Sequence, residues 1–181
     1  EKEQSVFSRY GWTGELKPVI GDTMAVIGTN IAGQKSDAAI REKVHHDIRI
    51  SNDGSITDTV TLVREHTADK GAIFTGVNNV QFVRFYAPEG SVLMGANGFK
   101  APSSTLFEQP LPQDGTDALL ASIEKKQRIT SEGLVATDEF GRTSFGGWIQ
   151  LKPGETATTT VSYKLPVNAF ELAKRWYPSA S

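Results

Sequence analysis

The stretch "ATTTVSYKL", residues 157–165, alternates apolar and polar side chains without a break: Ala157, Thr159, Val161, Tyr163 and Leu165 share one face, and Thr158, Thr160, Ser162 and Lys164 the other. Period two with β-branched and aromatic residues is the pattern of a strand with one buried side. The preceding stretch, "RTSFGGWIQL", is also strand-like, and "KPGE" between the two supplies Pro153 to pre-set φ and Gly154 to complete a turn. Residues 142–166 are therefore expected to form a β-hairpin.

The same logic extends backwards. In "KVHHDIRI" the apolar phase is Val44, His46, Ile48 and Ile50, leaving Lys43, His45, Asp47 and Arg49 to solvent. "SNDGSI" then brings Asp53-Gly54, a strong signal for a two-residue turn, before "DTVTLVRE". A second hairpin over about residues 42–66 follows. "VQFVRFYAP" is apolar on both faces, through Phe82, Val83, Phe85 and Tyr86, as suits a central strand covered twice or a bulged one. Helix signals are few. "GTDALLASIEKK" offers Thr116 as N-cap, an apolar stripe of Leu119, Leu120 and Ile123, and Lys125 and Lys126 at the end. The tail "NAFELAKRWYP", with Asn168 and Glu171 in a capping pattern, reads as a second helix or as a strand. Residues 95–115, rich in Gly, Pro, Ser and Gln, form a long surface excursion. The fold expected is a mainly β, antiparallel β-sandwich, Ig-like or related, of about seven to nine strands with one or two short helices. Its core should include Val60, Leu62, Val161, Tyr163, Leu165, Ile48 and Ile50.

Composition narrows the function classes. The chain has 181 residues, enough for one domain with its own core. Its 19 basic and 21 acidic residues carry a formal charge of −2 with no run of one sign, which argues against nucleic acid or an anionic membrane surface as partner. Cysteine is absent, so disulfides, thiol nucleophiles, iron–sulfur clusters and thiolate zinc are excluded together. No stretch approaches the roughly 18 apolar residues of a membrane span, and "EKEQSVFSRY" has no apolar signal-peptide core.

The blocks "YGWTGEL", "DTMAVIGTNIAGQKSD", "REKVHHDIRISNDGS" and "EFGRTSFGGWIQLKPGETATTTVSYKLP" succeed one another over nearly the whole chain. In order and spacing they resemble the bacterial family catalogued as domain of unknown function 4012. Proteins of that family are typically envelope proteins with an N-terminal membrane segment and the recognised region outside. The resemblance therefore implies that residues 1–181 are a single extracytoplasmic β-rich domain, a fragment of a longer membrane-anchored protein that does not itself contact the membrane. It implies no activity. The family pattern runs on past Pro166 into further strand-like sequence, where this chain departs from it.

Candidate binding residues come from three stretches. In "TNIAGQKSD", Asn30 offers a donor and an acceptor, Lys35 a charge and Asp37 a carboxylate, while Gly33 permits close approach to the backbone or a positive φ. The plainer reading makes this a structural loop, with Asn30 and Asp37 bonded to backbone and only Lys35 open to a ligand. "DEFGR" contributes Glu139 and Arg142, as a general acid or base with its partner or as a solvated turn pair. Trp148, out of phase with Phe145, Ile149 and Leu151, is either a stacking platform for a glycan or packed under the helix or the long loop; Trp12 and Trp176 lie far from it in sequence. No metal site is expected: His45 and His46 point apart, and folding back at Asp53-Gly54 sets His45 near Leu62 rather than His66. His46 is expected to be a hydrogen-bonded core histidine. No cofactor and no catalytic set are expected. Two readings remain: a non-catalytic binding or structural module of the bacterial cell envelope, with a cell-wall glycan or another envelope protein as partner, or an enzyme acting on cell-wall polymer in which Asn30, Lys35, Asp37, Glu139 and Arg142 converge.

Overall fold

Alternation carries through into nine strands among the described residues, arranged in two antiparallel sheets. The computed structural model describes residues 2–14, 21–108, 111 and 114–176. Its elements are α1 (Lys2–Tyr10), β1 (Ala25–Asn30), β2 (Ile40–Ile50), β3 (Ser55–His66), β4 (Asn79–Pro88), β5 (Val92–Asn97), α2 (Ala118–Glu124), β6 (Arg128–Ile129), β7 (Val135–Glu139), β8 (Arg142–Leu151), β9 (Thr156–Asn168) and α3 (Ala169–Trp176). One sheet has the order β1-β4-β8-β7-β6 and the other β2-β3-β9-β5. The expected β-sandwich is the observed architecture. Between the sheets lie Val60, Leu62, Val161, Tyr163 and Leu165 from one side and Val83, Phe85, Phe145, Ile149 and Leu151 from the other, all at most 3 % exposed. Phe145 and Tyr163 meet across the core with ring centroids 5.9 Å apart.

The hairpin at Asp53-Gly54 forms as expected, with β2 and β3 paired from Ile40–His66 to Ile50–Ile56. Gly54 takes φ +78, and Asp53 accepts from the backbone N–H and hydroxyl of Ser55 at 2.9 and 2.7 Å, which holds its carboxyl below the usual range. β4 is central, between β1 and β8, with its inner face buried and its outer face only partly covered at Phe82 and Arg84. The tail resolves as helix α3: Asn168 Oδ1 accepts from the N–H of Phe170 at 2.9 Å, and its amide donates to the carbonyl of Asp53, tying the helix to the hairpin turn. In α2 the cap is Asp117, one residue beyond the expected Thr116, accepting from Leu120 N at 2.8 Å.

Two expectations fail for physical reasons. The "KPGE" turn closes, with Glu155 N donating to Lys152 O at 2.9 Å and Gly154 at φ +82, yet β8 and β9 do not pair. β8 bonds to β4 and β7, and β9 to β3 and β5, so the turn carries the chain from one sheet to the other. A tight turn specifies reversal; the choice between pairing and stacking is made by the apolar faces, which here bury each other across the core. The turn is docked on the end of β3, where Gly154 N donates to His66 O and His66 N to Glu155 O. The second failure is β2. Ile48 and Ile50 keep the expected phase but are 54 % and 59 % exposed. β2 is the edge strand of its sheet and is exposed along its length beyond Ile40, so Val44 too, in the expected inward phase, is 45 % exposed, and the strand's apolar face finds little cover.

Candidate functional site

On the outer face of the five-stranded sheet, cross-strand register assembles a groove of about 570 Å³. β4 presents Phe82, Arg84 and Tyr86 outward, β8 presents Trp148, Gly146 and Ser144 opposite them, and β7 adds Val135, Thr137 and Glu139. Gly146 lowers the floor: a Cβ there would sit 2.7 Å from the Phe82 ring, which lies over it. Phe82 meets Trp148 edge-to-face at 5.1 Å, and Phe107 packs on Trp148 at a tilt, also at 5.1 Å. The segment carrying Phe107 is held by Lys100 N donating to Trp148 O at 2.7 Å and by the Gln150 amide donating to the carbonyls of Lys100 and Ala101. Leu120 and Ile123 of α2 form the opposite wall. The volume and the apolar floor are those of small-ligand clefts.

A polar anchor sits at one end. Glu139, its side chain 9 % exposed, accepts from the Tyr86 hydroxyl at 2.8 Å and from Ser144 Oγ at 3.4 Å, with Arg84 Nε 3.9 Å away. Burial, and then the Glu139 carboxylate, push the Tyr86 phenol up to about 12, so at neutral pH it remains a protonated donor. Arg84 also lies 4.8 Å over the Phe82 ring, a cation–π contact that fixes its guanidinium along the groove wall. The result is an aromatic ledge beside one carboxylate and one guanidinium, a surface that suits a ring with one apolar face and hydroxyls at its edge.

The sequence candidates divide among three places. Glu139 and Trp148 line the groove. Arg142 is the cross-strand partner of Glu139, but its guanidinium donates to Thr23 Oγ1 and it is 7 % exposed. Asn30, Lys35 and Asp37 lie at the other end: Asn30 pairs with Gln81 and Arg142 with Pro88, seven residues apart on β4, about 23 Å at about 3.3 Å per residue. The five residues of the enzyme reading do not converge. Phe82, Arg84, Tyr86, Ser144 and α2 were not singled out from sequence, although the two-faced pattern of "VQFVRFYAP" already required a cover over the outer face of β4.

The loop after β1 is chiefly structural. Asn30 Oδ1 accepts from Gly33 N at 2.7 Å, and its amide donates to Gln34 O at 3.3 Å. The positive φ falls on Gln34 (48°), not on Gly33, whose added Cβ would instead lie 2.7 Å from Asn30 Oδ1 and Ser36 Oγ. Asp37 bonds side chains rather than backbone: its Oδ1 accepts from Asn79 Nδ2 at 2.6 Å and lies 3.8 Å from Arg64 Nη2. The exposed Lys35 side chain makes no hydrogen bond or ion pair among the described residues. Asn30→Ala should lower stability by about 1–3 kcal/mol, because a partly buried N–H loses its acceptor. Lys35→Ala should stay within about 0.5 kcal/mol. Urea denaturation of both variants checks the division, and the reverse order of effects would overturn it.

A second cluster lies where the chain leads into β1. Asp22, His46 and Asp58 offer ligand-type atoms all within 4.8 Å of one another, with His46 Nε2 3.2 Å from Asp58 Oδ2 and 3.8 Å from Asp22 Oδ2. Burial and the Asp58 charge push the Asp22 carboxyl up to about 6. His46 is thus not a core histidine: its side chain is 23 % exposed, at the sandwich edge.

Fold and groove together define a β-sandwich with an aromatic-lined cleft on one outer face. Comparison with family models finds no match, and neither a curated protein nor a solved structure matches the chain. No helix among the described residues is long and apolar enough to cross a membrane.

Proposed function

We infer that the chain is a non-catalytic binding module of the bacterial cell envelope, and that a cell-wall glycan occupies the groove over Trp148. One observation carries the reading against the hydrolase alternative. The groove sets an aromatic ledge beside one carboxylate among the described residues that line it, Glu139, already engaged by Tyr86 and Ser144. Glycoside hydrolysis ordinarily needs two carboxyl groups about 5–9.5 Å apart across the scissile bond. Binding needs only the ledge, to take the C–H face of a sugar, and polar groups to orient its hydroxyls. The envelope setting is supported by the resemblance of the sequence blocks to domain of unknown function 4012.

The test is co-sedimentation with purified peptidoglycan together with calorimetry on soluble N-acetylglucosamine–N-acetylmuramic acid oligomers. Trp148→Ala should weaken binding by about 30-fold, equivalent to the roughly 2 kcal/mol of an aromatic hot spot. Arg84→Gln, at a half-exposed wall position, should weaken it less while leaving the melting temperature near that of the parent chain. Equal binding by Trp148→Ala, or no binding of glycan by the parent, defeats the proposal. Release of reducing sugar that disappears in Glu139→Gln would favour the hydrolase.

A further inference from the structure

We propose that Asp22, His46 and Asp58 form a binding site for a divalent first-row transition ion, Zn²⁺ being the best fit, at the open edge between the two sheets. Three separate segments supply the donors: the lead-in to β1, the middle of β2 and the start of β3. Asp58 shares the inner face of β3 with Val60 and Leu62, and lies opposite Tyr163 in the β3–β9 pairing. His46 occupies the same phase on β2, opposite Val60.

An independent observation comes from the groups behind the cluster. Asp58 is 0 % exposed; its Oδ2 lies at ion-pair distance, 3.2 Å, from His46 Nε2, but neither carboxylate oxygen accepts a well-formed hydrogen bond. The Tyr163 hydroxyl, also in a side chain 0 % exposed, and Asp22 Oδ1 are likewise buried without a partner. Tyr163 is the cross-strand neighbour of Asp58 and points to the same face; burial first, and then the charges of Asp58 and Asp22, raise its phenol. Buried polar groups are nearly always satisfied, and a buried carboxylate is costly unless paired or bound to metal. A protonated His46 would balance one carboxylate of the two and leave Tyr163 and Asp22 Oδ1 as they are. A dication balances both carboxylates, takes the neutral imidazole as a ligand and leaves a fourth position for Tyr163 or water.

Donor type and spacing select the ion. Mg²⁺ and Ca²⁺ favour all-oxygen shells, whereas an imidazole with carboxylates suits Zn²⁺ and its neighbours. Bonds of about 2.0–2.1 Å at tetrahedral angles put ligand atoms about 3.3 Å apart. The 3.2 and 3.8 Å separations from His46 Nε2 already approach that value. Side chains of His46 and Asp22 that are 23 % and 21 % exposed give the ion a path in from solvent. Bound there, it would pin the lead-in to β1 onto the other sheet.

Calorimetry of chelator-dialysed protein with ZnCl₂, near pH 7 in a non-coordinating buffer, tests the site. One equivalent should bind with a micromolar or tighter Kd, and the melting temperature should rise with Zn²⁺ concentration. His46→Gln and Asp22→Asn, both at partly exposed positions, should keep the metal-free melting temperature near that of the parent. Each should weaken binding by more than about 100-fold, beyond the 10–100-fold typical for loss of an outer-shell group. His45→Gln, on the solvent face of the same strand, should bind as the parent does. No saturable binding at about 1 mM Zn²⁺, which puts the interaction weaker than about 4 kcal/mol, overturns the proposal. So does parent-like binding by His46→Gln, or tighter binding of Ca²⁺ than of Zn²⁺.

Discussion

Arg64→Ala should lower the unfolding free energy by about 3 kcal/mol, read as a drop in the urea midpoint at unchanged slope. Arg64 is 1 % exposed on the inner face of β3, and its guanidinium is spread over three partners. Nε donates to Glu42 Oε1 at 2.7 Å, Nη1 donates to Asn79 Oδ1 at 3.1 Å, and Nη2 lies 3.8 Å from Asp37 Oδ1. Asn79, fully buried, passes the connection on to Ser36 Oγ at 2.9 Å and to Asp37. Removing the arginine leaves Asn79 Oδ1 buried without a donor and empties the space its stem filled. Breaking a fully buried ion pair typically costs about 3–5 kcal/mol. The lower end applies because the carboxylates of Asp37 and Glu42 are 45 % and 48 % exposed and can rehydrate. Arg64→Lys should recover only part of the loss, since an ammonium cannot reproduce the planar fork. A loss below about 1 kcal/mol for Arg64→Ala would mean that the network contributes nothing to stability.

Phe145→Ala should cost about 3–5 kcal/mol, the range for a buried aromatic truncated to alanine. Its ring, 2 % exposed, fills the space between the sheets against Tyr163. The contact also discriminates between topologies. Were β8 and β9 paired through "KPGE", Phe145 would lie opposite Ser162, and Tyr163 would point to the other face of that sheet. In the sandwich the two rings meet from opposite sheets. A double-mutant cycle of Phe145→Ala with Tyr163→Leu should therefore give a coupling of about 0.5–1.5 kcal/mol. Additive losses would show that the two strands do not stack on each other.

Several buried polar groups were legible in the alternation itself. Val60 and Leu62 are inward on β3, so Asp58, Arg64 and His66 share their phase by the period of two alone. All three are at most 1 % exposed. His66 is satisfied locally, with Nε2 donating to Val77 O at 3.0 Å and Nδ1 accepting from Ala68 N at 3.4 Å. Asp58 and Arg64 need partners from other strands, and no local pattern identifies those. Comparing histidines only with one another likewise passes over Asp22 and Asp58: the period of two turns Asp58 inward, but nothing local tells that His46 on β2 and Asp22 ahead of β1 are brought to it.

Residues close in sequence determined the strand periodicity, the Asp53-Gly54 hairpin and the central position of β4; they put the α2 cap one residue early, at Thr116, and left the tail after Asn168 open between helix and strand. Side-chain period, turn chemistry and capping act over a few residues, so each is written where it operates. Tertiary structure decided that "KPGE" joins two sheets, that the apolar phase of edge strand β2 (Val44, Ile48 and Ile50) stays exposed, and that Asn30 and Arg142 lie at opposite ends of β4. It also decided that Glu139 meets Arg84 and Tyr86, and that His46 meets two aspartates. Those outcomes depend on which edges pair and how far each strand extends. Both are set by the burial of apolar faces contributed from distant parts of the chain, a quantity that no single stretch contains.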